Sequence, residues 1–172
     1  MTVYKIRDAT PTEFRQIGAL MVAVYSQLEG FPSPEEQPGY YKLLANIGSL
    51  TSNPKTRLLI AITDDGYIGG GVVYFGNMKY YGSGGTATAE KNAAGFRLLA
   101  VDPKTRGKGL GSLLTKACID IAKEQGLPQM IIHSTEAMQI AWKMYKNMGF
   151  TRSPDLDFMQ DKLPVFGFRL AL

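Results

Sequence analysis

The stretch that most restricts this chain is Val101-Asp102-Pro103-Lys104-Thr105-Arg106-Gly107-Lys108-Gly109-Leu110-Gly111. The apolar run before it ends at Asp102-Pro103. After it, Leu110, Leu113, Leu114, Ala117, Cys118 and Ile121 recur at spacings of three and four, an apolar helical stripe. The local order is therefore strand, basic glycine turn, helix. Glycine allows backbone conformations that bring successive N–H groups together, and a helix N-terminus adds roughly half a positive charge. Lys104, Arg106 and Lys108 add full charges around it. A phosphate-bearing anion is the ligand such a turn accommodates. No Gly-Lys-Ser/Thr ends the run, which excludes a P-loop. The third glycine falls one place early for a dinucleotide fingerprint.

The rest of the chain alternates strands and helices. Residues 3–7 read as a strand, and Thr10-Pro11-Thr12-Glu13 then supplies a helix cap, a proline at the first helical position and a capping glutamate. Phe14, Ile17, Met21, Val24, Tyr25 and Leu28 form one apolar helix face, broken at Gly30-Phe31-Pro32-Ser33-Pro34. A second helix is expected over residues 39–50. Strands at 57–63 and 67–75 flank the hairpin signal Asp64-Asp65-Gly66. Residues 76–92 are rich in Gly, Thr, Ala and Tyr without periodicity, a long connection of the kind that often carries function. Strands follow at 96–101 and 129–133, with the glycine-turn helix between them. A helix at 136–148 places Met138, Ala141, Trp142, Tyr145 and Met148 on one face, and further strands follow residue 149 and cover 165–172. The expectation is one domain over residues 1–172: an α/β fold with a mixed, mostly antiparallel sheet of about seven strands and about four helices.

Composition removes several function classes. One cysteine excludes an internal disulfide and a Cys-rich metal site, and one histidine excludes a two-histidine ligand set, so no metal is expected. The longest apolar runs fall well short of the about 20 residues that cross a bilayer, and residues 1–8 carry no apolar signal region. No membrane partner and a cytoplasmic location are therefore expected. A net charge of +4 suits a polyanionic ligand but is too mild to mark a dedicated nucleic-acid binder.

At three places in order the sequence resembles the GNAT superfamily of N-acetyltransferases. Leu98-Leu99-Ala100-Val101-Asp102-Pro103 has the look of its central strand. Arg106-Gly107-Lys108-Gly109-Leu110-Gly111 fits its Arg/Gln-x-x-Gly-x-Gly/Ala turn, and Ala141-Trp142-Lys143-Met144-Tyr145-Lys146-Asn147-Met148-Gly149-Phe150 stands at the usual distance downstream. The resemblance implies a GNAT-like fold and acetyl-CoA as co-substrate, its pyrophosphate held by backbone N–H groups of Arg106, Gly107, Lys108, Gly109, Leu110, Gly111 and Ser112. It implies a pantetheine arm paired with the backbone of Leu99, Ala100 and Val101, on a strand that splays from residues 129–133. It makes Tyr145 the catalytic acid that protonates the departing thiolate, a plausible donor for a phenol.

Other residues stay open. Many relatives place a glutamate where this chain has Gly95, so the base is Glu90, or another carboxylate such as Glu29 through water, or no dedicated group. Ser134 or Thr135 can contact pantetheine, though Thr135 serves equally as a helix cap. Lys143 and Lys146 are candidates for the adenosine 3′-phosphate. Cys118, on the apolar stripe, is a poor nucleophile, and the lone His133 is either structural or faces the site. Tyr74, Phe75, Tyr80 and Tyr81 could wall an acceptor pocket; otherwise Tyr74 or Phe75 lies in the core and Tyr80 and Tyr81 on the ordinary surface. The acceptor is a small-molecule or peptide amine, with direct attack in a ternary complex, and the apolar strand at 165–172 could pair with a second copy. The rival reading is a CoA-binding sensing or regulatory module without turnover.

Overall fold

The computed structural model describes residues 2–172. In chain order it contains β1 (Lys5–Asp8), α1 (Phe14–Ser26), α2 (Pro38–Ala45), β2 (Thr56–Ile62), β3 (Ile68–Phe75), β4 (Ala93–Val101), α3 (Leu110–Glu124), β5 (Gln129–Ser134), α4 (Gln139–Asn147), β6 (Thr151–Arg152), β7 (Phe158–Gln160) and β8 (Leu163–Ala171). The strands hydrogen-bond in the order β1-β2-β3-β4-β5-β8-β6, and β7 also pairs with β8. The β1–β2, β5–β8, β6–β8 and β7–β8 pairs are antiparallel, whereas β4 and β5 are parallel. The mixed, mostly antiparallel sheet with four α-helices is the architecture expected. Its extra strand is the three-residue β7, too short to leave a period in the sequence.

Two compact units divide the chain, and β3 and β4 each contribute to both. The first comprises residues up to Val73 together with Leu98–Ala117. Its helical entry is fixed by the capping box: the Thr10 N–H donates to Glu13 Oε1 at 2.9 Å, and Arg7 grips the same carboxylate through two bonds of 2.9 Å. Those donors, Arg7 foremost, hold Glu13 far below the ordinary carboxylate range, at about 2. Ile17 and Met21 of α1 and Leu44 of α2 are fully buried. The second helix is shorter than expected. The Asn46 side chain donates to Lys42 O at 2.9 Å at its end, and a 3₁₀ segment, Ile47–Ser52, follows.

The second unit comprises Tyr74–Arg97 and Cys118–Leu172. Its core gathers Phe96, Tyr145, Phe150 and Phe168 in edge-to-face and tilted contacts, with ring centroids 5.7–6.4 Å apart. Residues 76–92 are not an open loop: they hold two 3₁₀ turns, Met78–Tyr80 and Ala87–Ala89, and bury Met78, Tyr81 and Ala87. The helix expected over 136–148 begins as a 3₁₀ turn, Glu136–Met138, before α4. The expected pairing of the last strand with a second copy is corrected. Phe166 to Ala171 pair with β5, Phe168 and Arg169 also pair with β6, and Leu163 to Val165 pair with β7, so β8 lies inside the sheet.

Candidate active site

In the first unit, β4 leads through the 3₁₀ turn Pro103–Thr105 into α3. The turn is pinned from below. The Asp102 N–H donates to Gly69 O at 2.8 Å, Tyr67 Oη donates to Asp102 Oδ2 at 2.5 Å, and buried Thr105 donates through Oγ1 to Asp102 O at 2.9 Å. That hydrogen bond, more than burial, pushes the Tyr67 phenol up to about 12. Above these anchors, Arg106, Gly107, Lys108 and Gly109 stand exposed. Gly107 has φ +81° and Gly109 φ +77°, and a Cβ at either would meet nothing within 4 Å. Glycine is therefore required there by backbone angle and not by space.

The α3 ladder opens with the Leu113 N–H on Gly109 O at 3.0 Å. Among the described residues, the N–H groups of Gly107, Gly109, Leu110, Gly111 and Ser112 find no acceptor in the chain. Those of Arg106 and Lys108, expected in the same cradle, instead close long turn bonds of 3.4 and 3.3 Å to Pro103 O and Thr105 O. Five unmatched donors at a helix N-terminus, with Lys104, Arg106 and Lys108 near them in sequence, are the kind of group that suits an anion.

On β4, Leu98 sits at φ +63° with its side chain buried, a left-handed leucine that costs roughly 1–2 kcal/mol and is held by packing. Beyond it Leu99 and Val101 are half-buried, while Ala100 is buried. The Leu99 carbonyl already accepts from Tyr25 Oη at 2.9 Å. The parallel ladder of β4 with β5 covers only Ala93, Ala94 and Gly95 against Gln129, Met130 and Ile131, although both strands run on beyond it. The register thus ends where the sequence resemblance led one to expect splaying.

In the second unit, Tyr145 of α4 is 5% exposed among Phe96, Phe150 and Phe168. Its hydroxyl has no hydrogen-bond partner among the described residues. Burial above all, with Tyr81 and Cys118 adding to it, pushes its pKa well above the ordinary phenol range. Gly95 has a steric reason: a Cβ there would lie 2.7 Å from Tyr81 Cε1 and 2.8 Å from Ile131 O. The ring of Tyr81 occupies the space that a side chain at position 95 would need. Glu90 is bound to Arg169 at 2.7 Å, and Arg169 also holds Asp155 at 2.6 Å. Glu29 is exposed.

His133 Nε2 lies 2.9 Å from Leu156 O, and Nδ1 lies 2.9 Å from Tyr81 Oη. Tyr74, Phe75 and Tyr81 are at most 1% exposed, which makes them core and not an acceptor wall; Tyr80 is half-buried. Cys118 is fully buried. Thr135 takes the N-cap position of the Glu136–Met138 turn but makes no side-chain cap, and among the described residues its buried Oγ1 has no partner. Ser134 donates to Met138 Sδ at 3.4 Å. Lys143 and Lys146 are exposed. Sequence reading missed both the Tyr81–His133 bond and the Tyr25–Leu99 bond. Each joins residues more than 50 positions apart, and no local pattern announces them.

The model of the acetyltransferase (GNAT) family matches residues 21–150. The chain belongs to the GNAT acetyltransferase family. A GNAT acetyltransferase from Staphylococcus aureus shares the fold with TM-score 0.75 and 17% identity, covering 99% of each chain. The PaiA N-acetyltransferase from Thermoplasma acidophilum, solved in complex with coenzyme A, gives TM-score 0.73 at 17% identity over 98% of this chain and 99% of its own. The mycothiol acetyltransferase of Thermobispora bispora is 40% identical over 55 residues, which is 32% of this chain and 19% of that relative. The matched stretch is thus about a fifth of that relative's length. In this GNAT chain, the family match takes in the glycine turn, the left-handed Leu98 and Tyr145.

Proposed function

We propose that this protein moves the acetyl group of acetyl-CoA to an amine by direct attack in a ternary complex. The observation that carries the reading is the run of unmatched N–H groups at Gly107, Gly109, Leu110, Gly111 and Ser112, ringed by three cations. A diphosphate supplies the acceptors and the opposite charge, as the coenzyme bound by the Thermoplasma relative would. Leu99, Ala100 and Val101 offer the coenzyme arm a strand past the end of the β4–β5 ladder. The orphaned Thr135 hydroxyl gives the arm a further donor.

The amine nitrogen attacks the thioester carbon, an N–H beside Leu99 stabilises the developing oxyanion, and the C–S bond breaks with its electron pair going to sulfur. Tyr145 gives that sulfur its proton. Burial makes the phenol reluctant to ionise alone, yet it raises the basicity of a thiolate formed beside it in the same way, so donor and acceptor stay matched. No covalent nucleophile enters, because Cys118 is sealed in the core. The acceptor is a small-molecule or peptide amine.

The test is calorimetry with acetyl-CoA together with thiol release across a panel of primary amines. Tyr145→Phe is expected to lower kcat by roughly a hundredfold while the acetyl-CoA dissociation constant stays within about threefold. An unchanged kcat removes Tyr145 from this role. Gly95, with no room for a carboxylate, favours a second reading, a CoA-binding sensing module. Tight binding without thiol release across the whole panel would select it.

A further inference from the structure

We propose that Tyr25 is a positioning residue for the transfer: by holding the Leu99 carbonyl it aims the Leu99 N–H at the thioester oxygen. This rests on the acetyl-transfer reading above. A backbone anomaly is the first ground. Leu98 sits at φ +63° inside β4, a region that leucine enters only under constraint. Its side chain is buried, so packing supplies part of that constraint. A second constraint acts on the next residue, where Tyr25 Oη donates to Leu99 O at 2.9 Å from 74 positions away.

Direction is the second ground. The Asp102 N–H donates to Gly69 O of β3 at 2.8 Å, and a Cβ at Gly70 of β3 would stand 2.8 Å from Ala100 O. Residues 100 and 102 thus turn their backbone polar groups toward β3. Successive residues of a strand alternate, which puts the N–H and C=O of Leu99 on the edge away from β3. Tyr25 reaches that edge, and both residues belong to the first compact unit. In a trans peptide the carbonyl and the N–H of the next residue share one plane. Holding Leu99 O therefore fixes the Leu99–Ala100 plane. Packing fixes Leu98 on the other side, so the Leu99 N–H between them has a set direction.

The Tyr25 ring is seated independently of that bond. It is buried near the C-terminal end of α1 and packs against Phe31 at 5.4 Å and Tyr40 at 6.2 Å, two rings that lie 5.7 Å from each other. Removing the hydroxyl alone leaves these contacts in place. What is lost is one neutral hydrogen bond, which shifts an equilibrium by roughly two- to tenfold. That factor sets the scale of the effect on the aimed peptide. With its carbonyl engaged by Tyr25, Leu99 faces the acyl group as a donor.

The experiment uses the full chain, the fastest primary amine from the panel, and acetyl-CoA carrying carbon-13 at the acetyl carbonyl. Infrared difference spectra without amine read that carbonyl directly. Bound to wild type, its stretch should lie below the value in buffer, because a donated hydrogen bond polarises the C=O. In Tyr25→Phe the band should move back toward the buffer value, and the single-turnover transfer rate should fall roughly fivefold. The dissociation constant of free CoA, which has no acyl carbonyl, should stay within about twofold. A wild-type rate in the folded variant overturns the proposal. So does a slower rate with the band unmoved, the signature of general loosening. A wild-type band already at its buffer position overturns it with no variant needed. If wild type binds no acetyl-CoA, or binds it and transfers nothing, the acetyl-transfer reading fails first and takes this one with it. Transfer by wild type at a rate that Tyr25→Phe leaves unchanged sinks this inference alone.

Discussion

Residues 106–109 stand in solvent, and Gly107 and Gly109 among them offer backbone N–H groups, whereas Tyr81, His133 and Tyr145 are folded inward. The turn needs a backbone angle and nothing above it: a Cβ at Gly109 meets no atom within 4 Å. The cluster needs the reverse, ordinary backbone and a close fit, with a Cβ at Gly95 landing 2.7 Å from Tyr81. Two glycines thus serve opposite ends. One frees the chain to bend and the other makes room for a neighbour. The difference separates how each region should fail: the turn through lost ligand affinity, the cluster through lost stability or turnover.

The largest expected effect breaks the turn alone. Gly109→Glu puts an L side chain at φ +77° and a like charge beside the diphosphate. Acetyl-CoA affinity should fall at least roughly a hundredfold by calorimetry, from roughly 1–2 kcal/mol of backbone strain plus charge repulsion. The melting temperature should move by only a few degrees, because nothing packs on the added atoms. A large stability loss with binding intact would reverse the contrast between the regions.

The two regions also differ in how far the chain's order announces them. The turn is contiguous: its glycines, lysines and the 3-and-4 spacing of α3 can be read from one short segment, and the fold class follows from the alternation of strands and helices. Even there, the stripe misassigned Leu113, which is 43% exposed. Tyr145 fell on a legible stripe, but its partners Phe96, Phe150 and Phe168 come from three other segments. The cluster's other members are set by packing across long separations. Residues 76–92 have no periodicity, so nothing local says that Tyr81 turns inward, and nothing in Gly95 names the ring above it. The left-handed Leu98 is equally silent, since leucine has no preference for that conformation and tertiary contacts impose it.

Gly95→Ala sharpens the comparison from the other side. The new methyl must displace the Tyr81 ring or the Ile131 carbonyl, and overpacking of this kind costs roughly 1–3 kcal/mol. Thermal unfolding should show that loss, as Tyr81 is pushed from its bond to His133. Acetyl-CoA affinity, set by residues 107–112, should stay within about threefold. Affinity that fell in step with stability would mean that the two regions are not separable.

The smallest effect is expected at Glu90. Its partner Arg169 keeps Asp155 at 2.6 Å, Ser153 Oγ at 2.8 Å and Gln129 Oε1 at 2.9 Å when Glu90 is removed, so no charge is stranded. Both members of the Glu90–Arg169 pair are about a quarter exposed, and Glu90→Gln should cost less than about 1 kcal/mol in denaturant unfolding. Turnover should match wild type across the pH range. A carboxylate acting as the proton acceptor would instead cost roughly a hundredfold in kcat on conversion to the amide. That outcome would give the role to the one carboxylate that sequence reading put forward from this segment, and Arg169 would then be the group that holds it in place.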